Sequence, residues 1–212
     1  MIRPRRLRRD GGFTLLEVIV ALGIFSVLLS IFVAGVMSLN RLALASRIDA
    51  QTSSQTGIAV QTIDKSIRYA EAVNYPGTTG VGAYIEWRTS AASAPSGVTT
   101  CTQLRYVPDS GTLAMRSWVA TASPTTGTWR VILSKIRGTA SATYPFVMIP
   151  AGSVSNYQGL AISILTGPNE SAGTETSATI YAKNSSSESP SNTLGSGGQS
   201  ASPVCSTMGY RP

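Results

Sequence analysis

The longest hydrophobic run of the chain lies close to its start. Residues 18–39 contain no charged side chain, and the run is as long as a transmembrane helix, which needs about 20 apolar residues. One carboxylate, that of Glu17, stands directly before this run. Because an ionisable group is costly in a membrane segment, its presence there predicts a function that involves a partner group.

Beyond residue 40 the pattern changes from uniformly apolar to amphipathic. Apolar side chains recur every three or four residues, as on one helical face: Val60, Ile63, Ile67 and Ala70. Residues 13–75 contain no proline, and Pro76-Gly77 is a stop signal. The pattern therefore predicts one helix with an apolar half over 13–40 and an amphipathic half over 41–75. A break within the polar stretch Gln51 to Gly57 stays open.

After Pro76 the chain consists of short alternating runs separated by Gly, Pro, Ser and Thr, which is typical of strands joined by turns. The candidate strands are residues 83–89, 103–107, 113–119, 128–136, 146–149, 160–165 and 179–182. We expect them to form an antiparallel sheet with one face on the helix. The fold class is therefore α+β, with a β-rich globular head over residues 76–183.

Three tryptophans fall inside or at the start of the predicted strands, namely Trp87, Trp118 and Trp129. We expect them to pack in the core or on the sheet face, and the lining of a ligand groove is the alternative. A Ser/Gly-rich loop and tail follows over residues 184–212. Eight of the nineteen residues 184–202 are serine, so this segment has little to bury and is predicted to be a flexible loop.

The formal net charge of +7 is concentrated at the start of the chain. Residues 1–12 hold five arginines and one aspartate, and the later basic residues are scattered singly. This distribution does not indicate a nucleic-acid-binding face, and contact between head arginines and phosphate is kept as a lesser alternative. Because basic residues favour the cytoplasmic side of a membrane, we expect a single-pass protein with a cytoplasmic N-terminus and an extracytoplasmic head.

The residue types exclude most catalytic chemistry. The chain has no histidine, which removes the commonest general base and the commonest metal ligand. Two cysteines are too few for a zinc site. Asn169, Glu170 and Glu175 share a loop that offers oxygen ligands for Ca²⁺, although an ordinary solvated loop is the simpler interpretation. We therefore expect no enzyme activity, no metal and no cofactor.

The N-terminal segment has three interpretations. An ordinary secretory signal has an apolar core of about 7–15 residues and an A-x-A-like cleavage site. Ala43-Leu44-Ala45 offers such a site, but the apolar run is longer than that core. A plain membrane anchor is the second interpretation. The third depends on the residues around Gly12.

The sequence from Gly12 to Val18, GFTLLEV, followed by an apolar helix, resembles the class III signal of type IV pilins and pseudopilins. The resemblance implies that a prepilin peptidase cuts between Gly12 and Phe13 and methylates the new amine of Phe13. Residues 1–12 are then a cleaved basic leader, and the apolar half stays as a transmembrane and assembly helix. It also implies that Glu17 meets the N-terminal amine of a neighbouring subunit. A carboxylate facing lipid headgroups is the alternative.

The same resemblance bears on the two cysteines. An exported head lies in an oxidising compartment, and pilins often close a C-terminal loop with a disulfide. A bond between Cys101 and Cys205 would stabilise the fold by up to about 4.7 kcal/mol in the chain-entropy model and would pin the tail to the sheet. Two free thiols are the alternative.

Residues 57–70, GIAVQTIDKSIRYA, resemble the post-membrane helix of the larger minor pilins, the J-type pseudopilin and W-type minor pilin group. The resemblance implies a structural subunit that initiates or joins a type IV pilus or a related secretion or DNA-uptake filament. A major pilin stays open. The implied partners are the prepilin peptidase, other major and minor pilins, the membrane, and the inner-membrane assembly platform with its ATPase. The competing class is a membrane-anchored exported adhesion or binding module that does not polymerise.

Overall fold

A computed structural model of the chain describes residues 12–121, 127–167, 174–206 and 211, with the side chains of all of these except residues 48 and 49. The chain divides into two compact units, Met1–Ile48 and Asp49–Pro212. One helix, α1 (Leu15–Ile67), has its first part in the first unit and its second part in the second.

In the first unit, α1 is apolar on all sides and its large side chains are exposed. Two of its serines are satisfied within the helix, because the hydroxyls of Ser26 and Ser30 donate to the carbonyls four residues earlier at 2.7 and 2.8 Å. Among the described residues, α1 is the one helix long and apolar enough to cross a membrane.

In the second unit, the chain forms ten strands among the described residues. They are β1 (Ala72–Val73), β2 (Gly77–Thr78), β3 (Ala83–Thr89), β4 (Thr100–Val107), β5 (Thr112–Val119), β6 (Arg130–Leu133), β7 (Ile136–Arg137), β8 (Phe146–Ile149), β9 (Gly159–Thr166) and β10 (Thr174–Tyr181). The first sheet has the order β1-β3-β4-β5-β6, with β2 also beside β3. The second has the order β10-β9-β7, with β8 also beside β9. All these pairs are antiparallel.

The predicted helix was too long at its C-terminal end. The helix ends at Ile67, and Ala72–Val73 instead form β1, which pairs with Trp87 and Arg88 of β3. Pairing with a strand that lies further along the chain overrides the local helical pattern. The break left open in the polar stretch does not occur, since the helix is continuous there and Thr56 donates to the carbonyl of Thr52 at 2.9 Å.

The strand predictions located the elements but not their grouping. The run predicted over residues 128–136 is two strands, β6 and β7, which lie in different sheets. The backbone turns between them at Lys135, whose φ is 62°. The prediction of a single sheet was therefore wrong. The strands β1 and β2 were not predicted, because each is too short to give a detectable pattern.

The core of the second unit lies between the last turns of α1 and the two sheets. Ala59, Ile63 and Ile67 of the helix are buried against apolar side chains of both sheets, including Trp87 and Phe146. The indole nitrogen of Trp87 donates to Ser66 Oγ at 3.2 Å. The amphipathic face predicted from the sequence is thus the buried face of the helix.

The opposite face of the first sheet carries a row of polar side chains. Glu86, Gln103 and Arg116 lie opposite one another on β3, β4 and β5. Gln103 donates to Glu86 at 2.8 Å and accepts from Arg116 at 2.7 Å. The row is buried, because Arg211 covers Glu86 and the ring of Trp129 lies 4.4 Å from the Arg116 guanidinium. Burial lowers the pKa of Arg116, and the neighbouring Arg105 lowers it further.

The serine-rich segment was predicted to be a flexible loop, and the structure instead packs it against β1. Ser189 donates to the carbonyl of Glu71 at 2.6 Å, and Ser191 to that of Val73 at 2.7 Å. Ser200 accepts from the backbone N–H of Tyr75 at 2.9 Å. The composition argument failed because hydroxyl groups, rather than apolar surface, hold this segment, and they satisfy backbone groups of the strand.

The ionisation of the Tyr106 hydroxyl tests whether this side chain is buried in the core. Its hydroxyl donates to the carbonyl of Gly138 at 2.6 Å, and burial, with a smaller effect of Tyr144, raises the pKa of Tyr106 to about 12. An unfolded tyrosine ionises near pH 10, so the stability from this group is fully present below pH 10 and is lost as the pH rises to about 12. We expect a difference titration at 295 nm between the native protein and Tyr106→Phe to show one phenol ionising near pH 12. A midpoint near pH 10 would contradict the burial of this hydroxyl.

Candidate processing and assembly site

The start of α1 is fixed by Thr14. Its Oγ1 accepts a hydrogen bond from the backbone N–H of Glu17 at 3.3 Å, and its carbonyl accepts from Val18 at 3.2 Å. A threonine N-cap followed three residues later by glutamate is the capping-box pattern. The helix therefore begins at Leu15, and the two residues before the cap, Gly12 and Phe13, stay outside it.

The junction between Gly12 and Phe13 is open to an enzyme. Both residues are exposed in non-helical backbone, and Phe13 is 84% exposed. Among the described residues, apart from its chain neighbours, no heavy atom lies within 4 Å of the position that a Cβ on Gly12 would take. Exposed backbone outside regular structure is where a peptidase gains access, so the geometry permits cleavage at this bond.

Glu17 lies on an apolar stripe of the first unit. It is exposed in the first turn of α1, where a negative charge is favourable with the helix dipole. With Phe13, Ala21 and Phe25 it repeats every four residues, and these side chains line one shallow hollow. No basic side chain in the described part of the chain forms an ion pair with Glu17. The carboxylate is therefore free to meet a cation brought against this stripe.

The other predicted site residues lie in the second unit. Cys101 at the start of β4 and Cys205 in the tail form a disulfide, with their Cα atoms 5.8 Å apart. The bond lies in a small buried cluster with Trp118 and Val204. It joins the tail to the same sheet face that carries the polar row, so the cysteines hold the head together and lie apart from the processing residues.

The residues considered for a metal centre are described only in part. Within the described ranges, no group of three or more His, Cys, Asp or Glu side chains could hold a metal ion. Asn169 and Glu170, considered for Ca²⁺, lie outside the described residues, as do the leader arginines. Glu175 accepts a hydrogen bond from Ser163 at 2.6 Å across β9 and β10.

Two features were missed when the sequence was interpreted. The cap at Thr14 was detectable, because the spacing of Thr14 and Glu17 before an apolar run is the signature of a capping box. The buried pair of Glu86 and Arg211 was not detectable, because 125 residues separate the partners.

Residues 7–33 match the family model described as the prokaryotic N-terminal methylation motif. This is the class III prepilin motif of type IV pilins and pseudopilins. A search of curated proteins and a search of solved structures give no match to the chain.

The fold and the motif point to the same class of protein. A long N-terminal helix followed by antiparallel sheets is a pilin-like α+β arrangement, and the matched motif includes Gly12, Phe13 and Glu17. The matched motif covers residues 7–33 of the 212 and supports a type IV pilin-like or pseudopilin-like protein. The motif implies processing by a prepilin peptidase and assembly with other pilins, and with the apolar helix it indicates anchoring in a membrane.

Proposed function

We propose that this protein is a minor pilin or minor pseudopilin, a structural subunit that initiates or joins a type IV pilus or a related secretion or DNA-uptake filament. One observation carries the proposal. An accessible Gly12–Phe13 junction stands directly before a capped helix, whose first turn presents the Glu17 carboxylate on an apolar stripe.

The cap explains how the helix start survives processing. Both Thr14 groups that accept hydrogen bonds, Oγ1 and the carbonyl, belong to the chain that remains after cleavage before Phe13. Cleavage therefore leaves α1 intact and adds one positive amine just before it. N-methylation of that amine keeps the charge.

The new amine and Glu17 form a complementary pair between subunits. The amine stands at the positive end of its own helix dipole, so a carboxylate from another subunit relieves an unfavourable interaction. A charge buried alone in an apolar bundle costs several kcal/mol, and pairing offsets much of that cost. Glu17 of one subunit therefore sets the position of the next subunit along the filament.

The proposal also includes the orientation of the chain in the membrane. The arginines before residue 12 keep the N-terminus in the cytoplasm, the apolar half of α1 spans the membrane once, and the head lies outside the cytoplasm. A disulfide suits that oxidising compartment. The chain has no histidine to activate a nucleophile, which supports a structural subunit rather than an enzyme.

The proposal is tested first at the mature N-terminus. Intact-mass and terminal-peptide mass spectrometry of the membrane-purified protein are expected to show a chain that begins at Phe13 with one added methyl group. Gly12→Val should block cleavage, and Gly23→Ala, which changes a glycine beyond the junction, should not. Space around Gly12 is open, so a block reports recognition by the peptidase and not a clash within the chain.

The same experiment has a second arm at Glu17. Glu17→Leu is expected to be cleaved normally but to be lost from sheared filaments, with Glu17→Gln as the matched variant that keeps the size of the side chain. The cap uses the backbone N–H of residue 17, so neither change removes it. A start at Ser46 would indicate ordinary secretion. Normal incorporation of Glu17→Leu would show that Glu17 does not set the position of the subunit, whereas absence of the native protein from sheared filaments would favour the exported binding module that does not polymerise.

A further inference from the structure

The core-facing side of the first sheet changes from apolar to hydroxyl-bearing at one end. Ile85, Leu104 and Met115 lie side by side across β3, β4 and β5. Two residues further along the same face, Thr102 and Ser117 lie side by side, in line with Trp87. The sheet face at this end, the last turns of α1 and the loop between β3 and β4 line an open pocket of about 530 Å³, a volume within the range of small-molecule sites.

The lining of this pocket, the hydroxyl pocket, is rich in hydroxyl-bearing residues, although most of the surface that it exposes is apolar. Nine of the twelve lining residues carry a hydroxyl group, one is Lys65, and none is acidic. A hydroxyl group both donates and accepts hydrogen bonds. Several of these hydroxyls already bond within the protein, among them Thr62 to the carbonyl of Ile58 and Thr102 to Ser117. Because a hydroxyl has one donor and two acceptor positions, capacity for a ligand remains. The pocket therefore suits a ligand that has both an apolar face and many donors and acceptors.

Hydrogen bonds hold the walls of the hydroxyl pocket in place. Asn184 donates both to the carbonyl of Tyr69 at 3.1 Å and to Ser93 Oγ at 2.8 Å, which joins the helix end to the loop. Thr102 and Ser117 are bonded to each other at 3.0 Å on the floor. A pocket whose walls are already ordered loses less entropy when a ligand binds.

Lys65 and Tyr69 stand one helical turn apart at the rim. Lys65 is exposed, and no acidic side chain in the described part of the chain forms an ion pair with it. Asp64 beside it is paired with Arg68 at 2.5 Å. Tyr69 is 54% exposed and offers a ring whose apolar body can contact the C–H face of a ligand.

We propose that the hydroxyl pocket binds a saccharide that carries a carboxylate. The hydroxyl lining pairs with the sugar hydroxyls, the Tyr69 ring contacts the sugar ring, and Lys65 selects the acidic substituent. Free phosphate is disfavoured, because phosphate sites use several charged or backbone donors and this pocket presents one ammonium group. This site goes beyond the proposed filament role and does not depend on assembly.

The test is saturation-transfer NMR with the mature full-length protein in detergent micelles and three named sugars. N-acetylmuramic acid represents cell-wall glycan strands, N-acetylneuraminic acid represents acidic cell-surface glycans, and N-acetylglucosamine is the neutral comparison. We expect an acidic sugar to bind about threefold to fivefold more tightly than the neutral one, as for a solvent-accessible ion pair. Whichever acidic sugar binds more tightly identifies the source.

Variants distinguish the role of Lys65 from that of the hydroxyl lining. Lys65→Gln should abolish the preference for the acidic sugar, whereas Arg130→Gln, which removes one exposed charge outside the pocket, should leave it unchanged. Ser117→Val should weaken binding of all three sugars. The proposal is overturned if no sugar binds saturably, if acidic and neutral sugars bind equally to the native protein, or if both pocket variants bind as the native protein does.

Discussion

Arg211→Met is expected to destabilise the head by about 3–5 kcal/mol, although it changes the penultimate residue of the chain. Arg211 donates to both oxygens of Glu86, at 3.0 and 2.7 Å, and to the carbonyl of Tyr75 at 2.9 Å. The Glu86 side chain is 0% exposed and that of Arg211 is 6% exposed. Removing the guanidinium leaves a carboxylate buried without its cation, which costs far more than the pair itself contributes.

The measurement is urea unfolding of the full chain in detergent micelles, followed by tryptophan fluorescence. Arg130→Met is the matched control, because Arg130 is exposed, and it should change stability by less than about 0.5 kcal/mol. The double variant Glu86→Leu/Arg211→Met should recover part of the loss, since the carboxylate left without Arg211 is removed while Arg116 keeps its hydrogen bond to Gln103. If Arg211→Met is as stable as the native protein, the tail does not close over Glu86 in solution.

Loss of the disulfide is expected to cost about 2–5 kcal/mol in unfolding free energy. The bond closes a long loop, since its two cysteines are 104 residues apart in the sequence. The chain-entropy model predicts the largest stabilisation for long loops. Cys101→Ala/Cys205→Ala and reduction of the native protein with dithiothreitol should give losses of similar size. A midpoint of urea unfolding that does not change on reduction would contradict this prediction.

The disulfide and the Arg211 contact are expected to be coupled. Cys205 and Arg211 lie in the same tail, and both attach it to the outer face of the first sheet. Once either attachment is lost, the other restrains the tail less. The variant that combines Cys101→Ala/Cys205→Ala with Arg211→Met should therefore lose less stability than the sum of the two separate losses. Additive losses would show that the two attachments act independently.

The N-terminal site could be predicted because its residues are neighbours in the sequence. Gly12, Phe13 and Glu17 lie within six positions, and the apolar run behind them has a length that a bilayer sets. The helical face that packs in the core was predictable for the same reason, since its period is local. The cap at Thr14 was available from the same few residues and was overlooked.

The rest of the head depends on contacts between distant parts of the chain. The end of α1 was wrong because residues 72 and 73 pair with β3, a requirement that no local pattern records. The covered outer face of the first sheet depends on Arg211 and Cys205, more than 100 residues beyond their partners. The ion pair could not be predicted from the sequence. The disulfide was predicted from the expected oxidising compartment and the resemblance to pilins, not from a local pattern.

The serine-rich segment has a consequence for how copies of this protein meet. An open strand edge invites other chains to add to it by backbone hydrogen bonds, which leads to disordered aggregates. At β1 those backbone groups are taken by the hydroxyls of Ser189, Ser191 and Ser200. Two heads that approach each other at this edge therefore meet through side chains rather than through free backbone groups. The low-complexity tail thus protects a subunit proposed to polymerise from polymerising in the wrong way.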